Sequence, residues 1–244
     1  MISKTKLKEL AAYRLAKRQD EEGVFVIEGA KLASEALASG AEVLYTCATA
    51  DWQPASRDGA GEFYEVSQAE LERLSLMRAP KQVWMLVRRI GRGGLIVDNQ
   101  PLTLALDRLQ DPGNLGTIMR TADWYGVRRI VCSRDTVNCY NAKAVQASMG
   151  AVFRTRVEYV DLPQWLASCG MEVFGASLDG EPLERTQVVG SQPKVLLVGN
   201  EGRGISDEVM RQVTRRVLIP NLGGTAESLN AAVAAAILID RLLG

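Results

Sequence analysis

The chain has 244 residues and no net charge, and 47% of its residues are apolar while 24% are charged. This composition is typical of a folded globular protein rather than of a disordered or fibrous one, and the length suits one domain with an appendage or two small domains. The sequence contains no histidine, which excludes a Ser-His-Asp or Cys-His nucleophile, a histidine-ligated metal and an imidazole base.

Membrane, export and metal functions are also disfavoured. The longest uncharged apolar run, residues 231–239, is much shorter than the roughly 20 residues that a membrane-spanning helix needs. The N-terminus lacks the apolar stretch of a secretory signal, so we expect a cytoplasmic protein without a membrane partner. The spacing of the cysteines fits neither a disulfide framework nor a zinc site, and we expect buried thiols and no metal. The cysteines are Cys47, Cys132, Cys139 and Cys169.

The first 92 residues predict a small α/β domain. Hydrophobic periodicity predicts, in chain order, a helix over 4–18, a strand at 24–27, a helix over 29–39, a strand at 42–46, a helix near 67–76 and a strand at 83–87. Residues 88–94, with the sequence RRIGRGG, have the composition of a linker. We therefore place a domain boundary between residues 92 and 93.

Basic residues are concentrated in two patches of this first part. Residues 4–18 contain six basic side chains and one acidic side chain, and residues 73–92 contain six basic side chains and no acidic one. Such patches commonly contact a polyanion, although a solvated helix face is an equal alternative on charge alone.

Beyond the boundary, helices and short apolar strands alternate regularly. The predicted elements are a strand at 102–106, a helix over 115–125, a strand at 129–132, a helix over 141–149, a strand at 155–160, a helix over 162–169, strands at 172–176 and 195–199, a helix over 205–213, a strand at 216–219 and a helix over 228–243. This alternation predicts an α/β domain with a mainly parallel sheet and helices on both faces.

Three loops after predicted strands have unusual sequences, and ligands bind at the carboxyl ends of strands in such sheets. The first contains N-x-G-x-x-x-R, from Asn114 to Arg120. The second reads V-G-N-E-G-x-G-I-S over residues 198–206, and the third runs from I-P at 219 to E-S-L-N ending at Asn230, before an alanine-rich helix. The second loop matches neither the dinucleotide fingerprint nor the phosphate loop.

Each loop also has a purely structural interpretation. Arg120 could form a surface ion pair with Asp123, which is three residues further along the helix. Glu201 could cap a helix, and Ser228 is a natural N-cap for the last helix.

In combination, the three loops resemble the motifs of SpoU-type (TrmH-like) RNA 2′-O-ribose methyltransferases in the SPOUT superfamily. The resemblance covers about residues 95–244, and residues 25–37 resemble the ribosomal-protein-like substrate-binding domain that often precedes this fold. It implies a trefoil knot near the C-terminus, S-adenosylmethionine as cofactor, a homodimer, and ribosomal or transfer RNA as substrate. One departure is that the loop over 220–228 is about one residue longer, with Asn221 where the family commonly has Met.

The resemblance also implies roles for individual residues. Those expected to hold the cofactor are Ala176, Leu197, Gly199, Asn200, Ile219 and Leu229, and those expected around the reacting hydroxyl are Arg120, Asn114, Glu201, Ser228 and Asn230. The family assigns the proton-accepting role to Arg120. Because a guanidinium stays protonated in proteins, an equally physical interpretation is that Arg120 binds a phosphate and lowers the effective pKa of the hydroxyl.

Two other functions remain possible from the sequence. A non-catalytic RNA-binding protein of the same fold would keep the basic patches without binding the cofactor. A nucleotide-dependent enzyme of the doubly wound type would need phosphate-binding fingerprints, which the sequence lacks.

Overall fold

A computed structural model describes residues 2–90, 100–183 and 192–243. The N-terminal part forms a four-stranded sheet in the order β1-β4-β2-β3, in which only β2 and β3 run parallel. Its elements are α1 (Lys4–Ala11), α2 (Ala16–Glu22), β1 (Val24–Glu28), α3 (Ala30–Ala38), β2 (Val43–Ala48), β3 (Glu62–Glu65), α4 (Gln68–Leu74) and β4 (Val83–Arg88).

The continuous helix predicted over 4–18 is wrong. The chain forms α1, a 3₁₀ turn over Ala12–Arg14 and then α2, with Leu15 in an extended conformation between them. The break turns the chain so that the side chain of Gln19 is buried and its Nε2 donates to the carbonyl of Tyr13 at 2.6 Å. Helical periodicity alone does not reveal this turn.

The C-terminal part forms a six-stranded sheet in the order β10-β8-β9-β5-β6-β7, and every pairing in it is parallel. Its elements are β5 (Leu102–Leu106), α5 (Pro112–Trp124), β6 (Arg129–Ser133), α6 (Ala142–Ser148), a 3₁₀ turn (Ala151–Phe153), β7 (Arg156–Val160), α7 (Leu162–Ser168), β8 (Glu172–Pro182), β9 (Lys194–Val198), α8 (Asp207–Met210), β10 (Arg215–Leu218) and α9 (Ala231–Leu243).

Helices cover both faces of this sheet, as the sequence predicts. Side chains of α5, α6 and α9 pack on one face with Leu104 and Leu196, whereas side chains of α7 and α8 pack on the other with Ala105 and Leu197. Alternating strand residues therefore enter two separate cores, which is the expected pattern for a sheet buried on both sides. The parallel α/β fold is confirmed, and the trefoil knot stays a prediction from the resemblance.

Several predicted boundaries differ from the structure. Strand β3 lies beyond the polar stretch at 51–61 and was not predicted. Its sequence, EFYE, has exposed glutamates at both ends and half-buried aromatic residues between them, so it lacks the apolar pattern of a buried strand. Strand β8 continues to Pro182 through a shift in its register against β10, and α8 is only four residues long. The proposed domain boundary between residues 92 and 93 lies outside the described residues.

The two parts of the chain share one hydrophobic core. The ring of Phe25 in β1 lies 4.7 Å from that of Tyr140 and 5.9 Å from that of Phe153, measured between centroids. Arg154 makes ion pairs with Glu35 of α3 at 2.6 Å and with Asp123 of α5 at 2.9 Å. The N-terminal sheet thus packs against α6 and the 3₁₀ turn of the C-terminal part.

The remaining expectations concern membranes, thiols and metals. None of the helices in the described ranges combines the length and apolarity needed to cross a bilayer. Cys47, Cys132 and Cys139 are buried and free, which confirms the prediction for them, while Cys169 is free and only partly buried. The described residues contain no cluster of acidic and cysteine side chains suited to a metal ion.

Candidate active site

The first loop is built around the N-terminus of α5. Asp111 caps this helix, since its Oδ1 accepts from the backbone N–H of Asn114 at 2.9 Å, and Pro112 occupies the first turn, where no N–H is needed. The helix therefore begins three residues earlier than the predicted start at Leu115. Nζ of Lys143 in α6 donates to the other carboxylate oxygen of Asp111 at 2.9 Å and so holds the capping side chain in place.

Glu201 in the second loop binds this first loop. Its Oε1 accepts from Nδ2 of Asn114 at 3.0 Å and from the backbone N–H of Asp111 at 3.2 Å, and its Oε2 accepts from the N–H of Gln110 at 3.4 Å. Loops that follow β5 and β9 are thereby joined at one edge of the sheet. Because Glu201 also accepts from backbone amides at the N-terminus of α5, including that of the N-cap residue Asp111, the structure agrees with the alternative that it caps a helix.

The third loop enters through Asn230. Its Nδ2 donates to Oδ1 of Asn114 at 2.9 Å, and its own Oδ1 accepts from the backbone N–H of Ala232 at 2.9 Å. Asn230 therefore caps α9, which corrects the expectation that Ser228 does so. The cap lies at Asn230 because α9 begins at Ala231, two residues later than a cap at Ser228 requires.

These bonds fix the orientation of both amides. Asn230 must point its oxygen at the helix N-terminus, which leaves its amino group to donate to Asn114. Asn114 then accepts with its oxygen and must donate to Glu201, whose ionised carboxylate can only accept. One amide hydrogen and one lone pair of Asn114 remain available, which suits a hydroxyl group that both donates and accepts.

Electrostatics keep both carboxylates of the cluster charged. Burial by itself raises the pKa of Glu201, but the hydrogen bonds from Asn114 and from backbone amides outweigh it and place that pKa below its ordinary value. The pKa of Asp111 is lowered, first by the bond from Lys143 and then by the amide of Asn114. Glu201 is consequently a weak proton acceptor that stays ionised while it accepts hydrogen bonds from Asn114, Asp111 and Gln110.

The second loop depends on a close backbone approach at its start. A Cβ atom on Gly199 would lie 2.2 Å from the carbonyl carbon of Gly204, so only glycine fits there. The side chain of Asn200 is used within the protein: its Nδ2 donates to the carbonyl of Arg108 at 2.8 Å, and its Oδ1 accepts from the amides of Gly202 and Arg203. Asn200 thus shapes the loop that was predicted to hold the cofactor.

The other residues predicted to hold the cofactor lie at or near three neighbouring strand ends. Gly199 follows β9, Ile219 follows β10, and Ala176 begins the register shift of β8. Leu197 differs, because it is fully buried inside β9 and pairs with strands on both sides. Leu229 is 47% exposed, in a stretch from 221 to 230 where every residue is exposed.

Two residues predicted to act in catalysis are not part of the hydrogen-bonded cluster. Arg120 and Ser228 are exposed, and neither side chain has a hydrogen bond or ion pair within the described ranges. The alternative ion pair between Arg120 and Asp123 does not form, since Asp123 pairs with Arg154.

Residue-by-residue reading of the sequence missed two supports of the site. Asp107 is buried at the end of β5, and its Oδ2 accepts from the N–H of Ser206 at 2.7 Å, which ties the second loop to the first strand. Lys143 lies within the region that resembles the family. Its contact with Asp111 could not be predicted, because the two residues are 32 positions apart in the sequence. Position directly after a buried strand was the available signal for Asp107.

Some basic side chains of the two predicted patches form ion pairs with acidic residues, and others do not. Lys6, Lys17 and Arg18 in the first patch pair with neighbouring glutamates, and Arg88 and Arg89 in the second pair with Glu42 and Asp20. Within the described ranges, six basic side chains of the patches make no hydrogen bond or ion pair. They are Lys4, Lys8, Arg14, Arg73, Arg78 and Lys81.

Comparison with known proteins follows the same division of the chain. The SpoU rRNA Methylase family matches residues 101–240, and an MRM3-like substrate binding domain matches residues 4–84. The 23S rRNA (guanosine(2553)-2′-O)-methyltransferase RlmP of Bacillus subtilis is 31% identical and aligns with 98% of this chain and 96% of its own.

Solved structures agree with these matches. A protein from Porphyromonas gingivalis assigned to the TrmH family of RNA methyltransferases superposes with a TM-score of 0.84 at 33% identity, over 99% of this chain and 98% of that one. An AdoMet-bound rRNA methyltransferase from Sinorhizobium meliloti gives a TM-score of 0.85 at 29% identity, over 99% and 96%. This chain belongs to the SpoU rRNA methylase family and is an RNA methyltransferase.

Proposed function

We propose that the chain methylates a ribose 2′-hydroxyl of ribosomal RNA and that the cluster of Asn114, Glu201 and Asn230 is its active site. The observation that carries this assignment is the pair of hydrogen bonds that Asn114 makes to Glu201 and Asn230, at 3.0 Å and 2.9 Å. Three loops widely separated in sequence meet at this one amide. Ribosomal rather than transfer RNA is favoured because the relative RlmP, which aligns over nearly the whole chain, is named for 23S rRNA.

The strand ends beside the cluster fit S-adenosylmethionine, which supplies an electrophilic methyl group when bound. Ala176 and Ile219 offer small or apolar half-buried surface for an adenine ring, and Leu229 can cover it from the exposed stretch. The backbone at Gly199 lies close to that of Gly204, and no side chain separates the two segments. Asn200 contributes by holding that loop rather than by contact.

The side chains of the cluster orient the acceptor. Glu201 and Asn230 hold the amide of Asn114 in one orientation, and its free hydrogen and lone pair bind the ribose hydroxyl. Transfer of the methyl group would break its bond to sulfur, leave S-adenosylhomocysteine and require the ribose hydroxyl to lose its proton. Glu201 is a poor acceptor for this proton because its pKa is lowered, and the exposed position of the cluster allows water to accept it.

Arg120 acts in this scheme as a cation. Its exposed guanidinium has no partner in the described parts of the protein, so it is available to bind a phosphate of the RNA with two parallel hydrogen bonds. A positive charge beside the hydroxyl also favours loss of its proton. Ser228, also exposed, can hydrogen-bond to the same nucleotide.

The face that carries Arg120 supports the proposal of a homodimer. Trp124 lies one turn further along α5 and is 85% exposed, and Val233 on the adjacent α9 is 48% exposed. Large aromatic and aliphatic side chains that are exposed on adjacent helices are typical of a protein interface. A second copy that covers this face would approach the guanidinium of Arg120 and help to enclose the site.

The dimer has a direct test. We expect Trp124→Glu to shift the protein from dimer to monomer in sedimentation equilibrium, because it places a charge in the centre of the contact. Leu15→Glu is the matched control, since Leu15 is also largely exposed but lies in the N-terminal part. Wild-type protein that sediments as a monomer would contradict the dimer.

The reaction is tested on RNA that lacks the modification. Purified protein, methyl-labelled S-adenosylmethionine and ribosomal RNA from a strain without the gene are incubated, and ribose methylation is mapped along the RNA. We expect label at a ribose of 23S rRNA and none in transfer RNA. Label on a base, or none in ribosomal RNA, would overturn the proposal.

We also propose a cytoplasmic location, where ribosomal RNA is assembled into ribosomes in bacteria.

Calorimetry with S-adenosylmethionine distinguishes the two rival functions from methyl transfer. A non-catalytic RNA-binding protein of the same fold would show no cofactor binding. A nucleotide-dependent enzyme would bind a dinucleotide or a triphosphate in preference to the methyl donor.

A further inference from the structure

A loop over residues 75–82 between α4 and β4 is fixed by a buried carboxylate. Glu28, at the end of β1, accepts from the hydroxyl of Ser75 and, at 2.8 Å, from the backbone N–H of Leu76. Glu28 and Ser75 are both buried, at 6% and 2% exposure. A buried carboxylate is costly to desolvate, so its use to hold a surface loop indicates that the position of the loop matters.

The other end of the loop is fixed as well. Gln82 adopts a positive φ of 66°, and its carbonyl accepts from the backbone N–H of Thr49 at 2.8 Å. The carbonyl of Pro80 accepts from Nε2 of Gln68 at 3.1 Å. The loop is therefore held at its start, its middle and its end.

A short series of contacts connects this loop to the active site. The backbone carbonyl of Glu28 accepts from Nε2 of Gln146 at 3.0 Å. One turn earlier on α6, Lys143 binds Asp111, the cap of α5 that lies next to Asn114. The two contacts on α6 are three residues apart, or about 4.5 Å along the helix axis. Glu28 thus contacts the loop with its carboxylate and, with its carbonyl, the helix that borders the cluster.

The surface of the loop has the chemistry of a nucleic-acid contact. The side chains of Arg78 and Lys81 are exposed and make no ion pair or hydrogen bond within the described parts of the chain. Leu76 and Met77 beside them are 37% and 43% exposed. Unpaired cations bind phosphates, and exposed apolar side chains pack against unstacked bases.

A shallow depression beside the loop adds acceptors for a base. Its lining includes Asp51, Gln68 and Glu72 together with loop residues 78–82. Carboxylates repel phosphates but accept hydrogen bonds from the amino groups of bases. The depression therefore suits a base that has turned out of its stack, with the RNA backbone on Arg78 and Lys81.

We propose that the loop over 75–82, held by Glu28 as a positioning residue, binds the RNA segment a few nucleotides from the methylated ribose and thereby selects the target. This inference rests on the proposed function. The RNA strand would cross α6 between the loop and Asn114, and the segment bound by the loop would be single-stranded or looped out, because paired bases cannot enter the depression.

The test compares two exposed arginines, one in the N-terminal part and one in the C-terminal part of the chain. Arg78→Ala removes a proposed contact, whereas Arg128→Ala removes an exposed arginine just before β6, at the amino edge of the sheet. We expect Arg78→Ala to raise the KM for ribosomal RNA about tenfold and to reduce the slope of log Kd against log salt concentration by about one. We expect kcat and the Kd for S-adenosylmethionine to stay unchanged, and Arg128→Ala to behave like wild type.

Glu28→Ala tests the positioning role. We expect it to raise the KM for RNA as Arg78→Ala does, with unchanged cofactor affinity, and Glu28→Gln to restore part of the effect because it retains one acceptor. Should Glu28→Ala fail to fold, the arginine pair decides. The inference is overturned if wild type methylates ribosomal RNA while Arg78→Ala keeps the wild-type KM, or if Arg78→Ala weakens cofactor binding equally. Absence of methylation by wild type would instead contradict the proposed function.

Discussion

The five residues that the sequence nominates for catalysis fall into two groups in the structure. Asn114, Glu201 and Asn230 are bound to one another, and each is also tied to a helix cap or to backbone amides. Arg120 and Ser228 are exposed and have no side-chain partner in the described ranges. The first group is organised before any ligand binds, whereas partners for the second must come from RNA, cofactor or a second copy.

The difference has a consequence for mutants. Removing a bound residue costs both protein stability and activity, because its neighbours lose hydrogen bonds in the free protein. Removing an unpartnered residue costs activity alone, since nothing in the free protein depends on it. Measurements of melting temperature beside turnover therefore test the division directly.

Arg120→Ala has the largest expected effect. We expect turnover on ribosomal RNA to fall by about a thousandfold while the melting temperature stays at the wild-type value, because the guanidinium binds only the substrate. Single-turnover methylation and thermal unfolding measure the two quantities. Arg120→Lys keeps the charge without the paired donors, and we expect it to recover only part of the rate. Near-normal turnover in Arg120→Ala would remove this residue from the site.

Asn114→Ala is expected to reduce turnover by about a hundredfold, since the acceptor is no longer oriented. It should also lower stability by about 1 kcal/mol, because Glu201 and Asn230 each lose a bond. Thr117→Ala on the same helix is the control, as its hydroxyl bonds only to the carbonyl of Gly113. Loss of activity without loss of stability would place Asn114 in the unpartnered group and break the comparison.

Gly199→Ala tests the loop that carries Glu201. A Cβ atom there would meet the backbone of Gly204 at 2.2 Å, whereas at Gly202 the nearest atom outside its neighbours is 3.9 Å away. We expect Gly199→Ala to lower stability by about 1–3 kcal/mol and to weaken binding of S-adenosylmethionine, and Gly202→Ala to change neither. Chemical denaturation and calorimetry measure both effects. Equal behaviour of the two variants would contradict the packed loop.

The sequence predicts the parts of this fold that depend on local pattern. The alternation of strands and helices beyond residue 100 and the strand at Leu102–Leu106 agree with the structure, because buried strands and amphipathic helices are encoded by neighbouring residues. The break at Leu15 and the cap at Asn230 could not be predicted in this way. Both depend on where the chain must go next, which is decided by packing.

The site shows the same limit at longer range. Its residues can be nominated from three motifs, but their grouping depends on contacts such as that between Asn114 and Glu201, which are 87 residues apart. The ion pair between Arg120 and Asp123 is absent for a similar reason, because the carboxylate of Asp123 accepts instead from Arg154, which is 31 residues further along the chain. Sequence motifs identify the residues of a site, whereas tertiary contacts determine which of those residues are already hydrogen-bonded in the free protein.

Glu201→Gln has the smallest expected effect and depends on pH. Because the folded-state pKa of Glu201 is lowered, its ionised form stabilises the protein fully above the ordinary carboxyl pKa of about 4.3, and this contribution is lost as the pH falls through the lower folded-state pKa. We expect wild type to be more stable than Glu201→Gln near neutral pH by less than about 1 kcal/mol, since solvent screens the partly exposed group. The difference should shrink on acidification. Glu227→Gln, at an exposed residue with no side-chain partner in the described ranges, is the control. A stability difference that stays constant from neutral to acidic pH would show that the charge on Glu201 does not hold the three loops together.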